Sequence, residues 1–249
     1  MVWFSEVRAA RRFQQSPWRT ALEDLPPTLA PAWHDAARRN PEGARMDALF
    51  FARAAEGLMM YFDAAARSRH PCALPSAAAD SVRRVWQRWD PAGLDRFCET
   101  HFGTALPPPP VEPAGSALLH ALTACVRRDP RERPRPLLTT LPALFALDAE
   151  LRMPDGHCFR LLHGRMLYTR LDRYGRARGS ERAHPDLAPM ALYRAGLIDI
   201  RTLDVLEGRR PGQAQGGGAA AAGDGEGRDI DDLIDLIDVG DVIDLLTDD

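Results

Sequence analysis

Apolar positions along most of this chain recur three and four residues apart, the spacing of one face of an α-helix. Between Ser76 and Trp89, the residues Val82, Val85, Trp86 and Trp89 fall on one side, and Arg83, Arg84, Gln87 and Arg88 fall mostly on the other. The stretch therefore predicts a core-facing helix with a basic outer side. Ser76 precedes an alanine-rich run, where its hydroxyl can cap the first turn. Asp90 and Pro91 restart the chain, because aspartate caps and proline suits the first helical position. Leu94, Phe97, Cys98, His101 and Phe102 form the next stripe, and Gly103 ends it. The run Pro107 to Pro110 can be neither helix nor central strand and reads as a stiff spacer.

The same periodicity predicts helices on either side. Residues 5–24 read as a helix capped by Ser5, with Val7, Ala10, Phe13 and Trp18 inward and Pro17 as an interruption. A short helix follows over 31–39. The longest begins at Asn40 and Pro41 and runs to Arg67. Its apolar stripe, Met46, Leu49, Phe50, Ala54, Leu58, Met59, Tyr61 and Phe62, is wide enough to require burial between neighbours, and Gly57 permits a close helix crossing. Ser116 caps a helix through Leu118, Leu119, Leu122, Ala124, Cys125 and Val126. Residues 127–138 are a charged, proline-rich loop and the densest basic cluster of the chain. It reads as a solvated loop, with a phosphate or acidic-peptide site as the alternative. A helix over Leu141 to Leu151 carries Pro142 in its first turn.

Beyond Met153 the periodicity changes from helical to alternating. His157–Leu162 and Arg165–Leu171 predict a β-hairpin about His163 and Gly164, which must lie against the helices because two strands alone are marginal. Residues 174–180 read as loop, and two short helices are predicted over 189–194 and 199–206. The fold class is thus mainly α: a multi-helix orthogonal bundle with one small β-hairpin and a flexible acidic C-terminal tail. The body covers residues 1–206. Residues 207–227, rich in Gly, Ala, Gln and Pro, read as a flexible linker.

The last segment, residues 228–249, is the sharpest feature of the pattern. Ile230, Leu233, Ile234, Ile237, Val242, Leu245 and Leu246 follow helical spacing, while Asp231, Asp235 and Asp238 share the opposite face. From Asp224 to Asp249 eleven acidic residues stand against one arginine, a net of −10, which leaves +7 on residues 1–223 of a chain whose net charge is −3. An aliphatic stripe this large marks a docking surface. The segment predicts a helix that docks into an apolar, basic-rimmed groove, on a protein partner or on this protein's own body. A disordered acidic tail and self-association of tails are the alternatives.

Composition adds less. All 32 basic residues are arginine, and the basic charge of the body forms no stripe, so nucleic acid is not the expected partner. Cys72, Cys98, Cys125 and Cys158 lie far apart and read as buried free thiols. No run approaches the ~20 apolar residues of a membrane span, and the N-terminus lacks the pattern of a secretory signal. A soluble, cytoplasmic setting is expected.

Several of these residues carry a family likeness. Ser76, Asp80, Val85-Trp86, Leu94-Asp95-Arg96-Phe97-Cys98 and Phe102-Gly103, with Leu141 to Ala149 and Met153-Pro154-Asp155-Gly156 after them, form a pattern that resembles the core of the glycine-rich-domain-containing protein family. These are helical proteins of bacteria and plants, and the likeness covers about residues 45–160. It implies a helical fold and no known reaction. Family members carry histidines where Gln87 and Pro107 to Pro110 stand here, so the resemblance brings no metal site.

The chain has no G-x-S-x-G elbow, no phosphate-cradling glycine loop and no H-E-x-x-H pair, so it nominates no catalytic residue, no metal ligand and no cofactor. His157, Cys158 and His163 are close in sequence, yet adjacent strand residues point to opposite faces. The leading functional expectation is a noncatalytic interaction or adaptor protein, a helical body with a tethered docking peptide. The alternative is an enzyme or small-ligand-binding domain with a pocket near the 76–103 helices, using Trp86, Cys98 and His101.

Overall fold

The computed structural model describes residues 2–38, 46–105, 116–127 and 137–209, with side chains from Ser5 onward. The tetraproline, most of the 127–138 loop, the linker beyond Arg209 and the acidic segment lie outside the described residues. The chain is mainly helical, with a small antiparallel sheet late in the body. Among the described residues no helix is long and apolar enough to cross a membrane.

The first helices are α1 (Val2–Gln15), α2 (Arg19–Glu23) and α3 (Leu29–Arg38). Pro17 splits the predicted 5–24 helix, as its missing N–H requires. The helix starts earlier than Ser5, and Val7 points to solvent rather than inward. The long helix α4 (Ala48–Arg67) ends where expected but begins later, with Asp47 accepting from the Phe50 N–H at 3.0 Å. Met46 and Asp47 are not helical, so one unbroken helix from Asn40 to Arg67 is corrected; Asn40 and Pro41 themselves lie outside the described residues.

Helices α5 (Ala77–Trp89) and α6 (Pro91–Phe102) follow the predicted caps. Ser76 Oγ accepts from the Ala79 N–H at 3.2 Å, and Asp90 Oδ1 accepts from the Gly93 N–H at 2.8 Å. Val82 and Trp86 are buried, but Trp89 lies on the exposed side, past the end of the apolar face. α7 (Ala117–Val126) makes no side-chain cap bond from Ser116, and α8 (Ala143–Leu151) has Pro142 at its cap position.

Helix α4 is the hub, touching α1 to α3 and α5 to α8. Gly57 eases one of these approaches: a Cβ there would overlap Leu147 Cδ2 of α8, so the Leu147 side chain packs over α4 where a larger residue would displace it. The breadth of the predicted α4 stripe is realised, with Phe50, Leu58, Met59, Tyr61 and Phe62 all buried.

The sheet has three strands in the order β1 (His157–Leu162), β2 (Arg165–Leu171), β3 (Ala177–Ala183), all antiparallel. The hairpin is as predicted, but β3 replaces much of the expected 174–180 loop. Its residues are nearly all exposed and show no apolar alternation. Pairing with β2 makes it a strand, helped by Thr169 Oγ1 donating to the Arg178 carbonyl at 2.7 Å and by an Arg160 to Glu181 ion pair at 2.9 Å. Phe159 of β1 meets Phe145 of α8 edge to face, 5.2 Å between ring centres, which seats the sheet on the helices. A single 3₁₀ turn (Pro185–Leu187), α9 (Pro189–Arg194) and α10 (Ile200–Leu206) complete the body. They return to it through the Leu138 N–H, which donates to the Leu197 carbonyl at 2.7 Å.

Candidate ligand-binding cavity

Trp86 and His101 flank one ring, that of Phe97, and Cys98 follows Phe97 on α6. Trp86 lies 4.8 Å and His101 4.5 Å from Phe97, centre to centre. Trp86 is fully buried, and its indole N–H has no partner among the described residues. Burial, with a smaller push from Asp95, raises the Cys98 thiol to about 12, so it stays protonated and poorly nucleophilic. His101 Nε2 lies 3.2 Å from Asp24 Oδ2 and ties α6 to the turn after α2. None of the three lines the cavity described next. The seven aliphatic residues proposed from the tail, Ile230 to Leu246, lie outside the described residues.

The hairpin candidates separate. His157 Nδ1 is 3.1 Å from Tyr168 Oη on one face of the sheet, Cys158 points to the other, and His163 occupies the turn. His184 meets Tyr168 edge to face at 5.3 Å, so two imidazoles flank one phenol. Burial lowers the pKa of both histidines and raises that of Tyr168, so all three are neutral near pH 7. Beside them the Asp148 carboxylate accepts from Ser76 Oγ at 2.6 Å and from the N–H groups of Ala77, Ala78 and His157 at 2.8, 3.0 and 2.9 Å. Asp148 thus closes the N-terminus of α5 from α8 and fastens β1 to both.

A cavity of about 790 Å³ opens between α1, α4, α7 and the segment Leu137–Leu144. Its floor comes from helical spacing on α4, since Glu56, Met60, Asp63 and Arg67 succeed one another along a single stripe. Trp18, brought over by the break at Pro17, and Leu138, Leu141 and Leu144 supply apolar walls. Near the far end Asp63 grips Arg67, Oδ2 to Nη2 at 2.7 Å and Oδ1 to Nε at 3.3 Å. Arg67 Nη1 also donates to the carbonyls of Ala124 and Arg127, at 3.1 and 2.6 Å, at the C-terminus of α7, where a cation is favoured. Cys125 lines the same end, and burial, partly offset by Arg67, pushes its thiol to about 12.

Glu56 differs from these fastened groups. Its side chain is only 4% exposed, yet it accepts one hydrogen bond, at Oε2 from Arg12 Nε at 2.6 Å. Oε1 has no hydrogen-bond partner among the described residues. Arg12 reaches over from α1 and is 45% exposed, so a nearly buried carboxylate faces a cavity held by a single, half-solvated cation. Buried charges normally collect several partners.

The sequence reading passed over Glu56. Its one signal was a carboxylate inside the apolar run Ala54-Ala55-Glu56-Gly57-Leu58-Met59-Met60, at a position the helix buries. The chain matches no protein-family model, no curated protein and no solved structure.

Proposed function

We propose that this chain is a noncatalytic binding protein whose helical body takes a small, largely apolar ligand into the cavity between α1, α4 and α7. The observation that carries the reading is the buried, singly bonded Glu56 carboxylate within a cavity of about 790 Å³. Ligand sites combine that range of size, apolar walls and a few convergent polar groups. The thiols Cys98 and Cys125, both raised to about 12, add no nucleophile. The neutral fluorophore N-phenylnaphthylamine tests it: saturable binding to the full chain, lost in Met60→Trp, is the expected result. No saturable binding, or binding unchanged by Met60→Trp in a folded variant, overturns it.

The acidic segment favours a second, compatible reading, because ten aliphatic residues among twenty-two form one stripe beside aspartates. It serves as a docking peptide for a protein partner with an apolar, basic-rimmed groove. A chain ending before Gly216, compared with the full chain for partner capture and for mass in solution, is the check. Identical behaviour in both assays overturns docking.

Kinship with the glycine-rich-domain-containing family is proposed on the residues of the resemblance. Several have structural tasks here: Ser76 and Asp148 bond each other, and Trp86 packs on Phe97.

A further inference from the structure

Deepening the cavity reading, and resting on it, we infer that the ligand is an apolar zwitterion: an ammonium and a carboxylate carried by one small apolar molecule, as in a hydrophobic amino acid or short peptide. Among the described residues the Arg12 and Glu56 pair leaves two ends unmatched. Glu56 Oε1 is an acceptor without a donor among the described residues, and it lies in a nine-tenths-buried side chain that calls for one. Arg12 spends its Nε on Glu56, and its terminal nitrogens make no bond to the described residues. That leaves a planar fork suited to a carboxylate. An ammonium set on Oε1 and a carboxylate on the Arg12 fork complete both groups.

Charge balance supports the same class. The described charged side chains around the cavity, Arg12, Glu56, Asp63 and Arg67, are two cations and two anions, and Asp63 and Arg67 are already committed to each other. A ligand of zero net charge with separated poles keeps that balance. A simple amine or a simple fatty acid leaves one pole of the pair unmatched. Trp18, Met60, Leu138 and Leu141 then face its apolar portion.

The test is titration of the full chain with leucine, tryptophan and the dipeptide Leu-Leu, beside hexylamine and hexanoate, with displacement of bound N-phenylnaphthylamine as the readout. The expected result is displacement by at least one zwitterion about tenfold more tightly than by hexylamine or hexanoate. Glu56→Gln and Arg12→Gln, each checked for an unchanged helical spectrum, are expected to weaken the zwitterion about tenfold and N-phenylnaphthylamine by clearly less. If the fluorophore binds but hexylamine or hexanoate competes as well as every zwitterion, or both variants bind zwitterions like the wild type, this inference is overturned and the cavity reading stands. If the fluorophore itself does not bind, both fall.

Discussion

The Asp148 carboxylate accepts four hydrogen bonds from two separate segments, while Glu56, buried to a similar degree, accepts one. Replacement should separate the two. Asp148→Asn turns an N–H₂ toward donors and is expected to cost about 3 kcal/mol, since each buried donor left unpaired costs about 1–3 kcal/mol. Glu56→Gln loses one bond to a half-exposed arginine and is expected to change stability by about 1 kcal/mol in either direction. Urea unfolding measures both. The thiols offer a second check at this scale. Cys98 and Cys125, with pKa values near 12, are expected to resist iodoacetamide at neutral pH in the folded chain. Cys125 should do so although it borders the cavity. Mass mapping after native labelling reads the order, and rapid modification of Cys125 contradicts it. The caps at Ser76 and Asp90 were legible from the sequence because a cap is a local bond between neighbours in the chain. The fourfold role of Asp148 was not, because three of its donors lie about 70 residues upstream.

Among the elements, the helices declared themselves through periodicity and the third strand did not. β3 owes its conformation to β2, and a strand exposed almost throughout has no need of alternating apolar residues. The turn before it is tightly made. A Cβ at Gly175, where φ is +69°, would collide with the Arg152 carbonyl, whereas one at Gly179, φ +77°, would meet nothing within 4 Å. Gly179→Ala is therefore expected to cost only the left-handed backbone penalty of about 1–2 kcal/mol. Gly175→Ala should cost clearly more, and comparing their melting temperatures decides it. The sheet face also sets a pH dependence. Burial holds the folded pKa of His157 and of His184 below the unfolded value. Above the unfolded pKa both states are neutral and neither histidine affects stability. As pH falls through it, the unfolded chain takes up protons that the folded one resists, so stability drops. Wild-type protein should lose stability from about pH 7 to about pH 5, and His157→Asn should lose less over that interval. An identical slope for both refutes the assignment.

For the molecule as a whole, one buried cluster runs from Ala21 to Leu203 and takes in helices and sheet alike. Residues 1–211 accordingly form one compact unit. A shared interior couples its parts, so tryptophan fluorescence and far-ultraviolet dichroism are expected to report a single urea transition with one midpoint. Two separated midpoints would mean that the sheet and the helices unfold independently. The sequence showed that α4 needed covering on a broad face. It did not show that α1 and Leu137–Leu144 leave part of that face open, because the cavity exists only where segments about 125 residues apart meet.

The placement of Gly57 beneath Leu147 has a consequence for synthesis. The side of α4 that α8 covers stays bare until residues 143–151 have left the ribosome, and the first turn of α5 waits equally long for Asp148. Between the synthesis of residue 67 and that of residue 151 the nascent chain therefore carries an oily, unfinished helix bundle. Chains truncated before residue 143 are therefore expected to be degraded or to precipitate on expression, which a comparison of soluble yields checks.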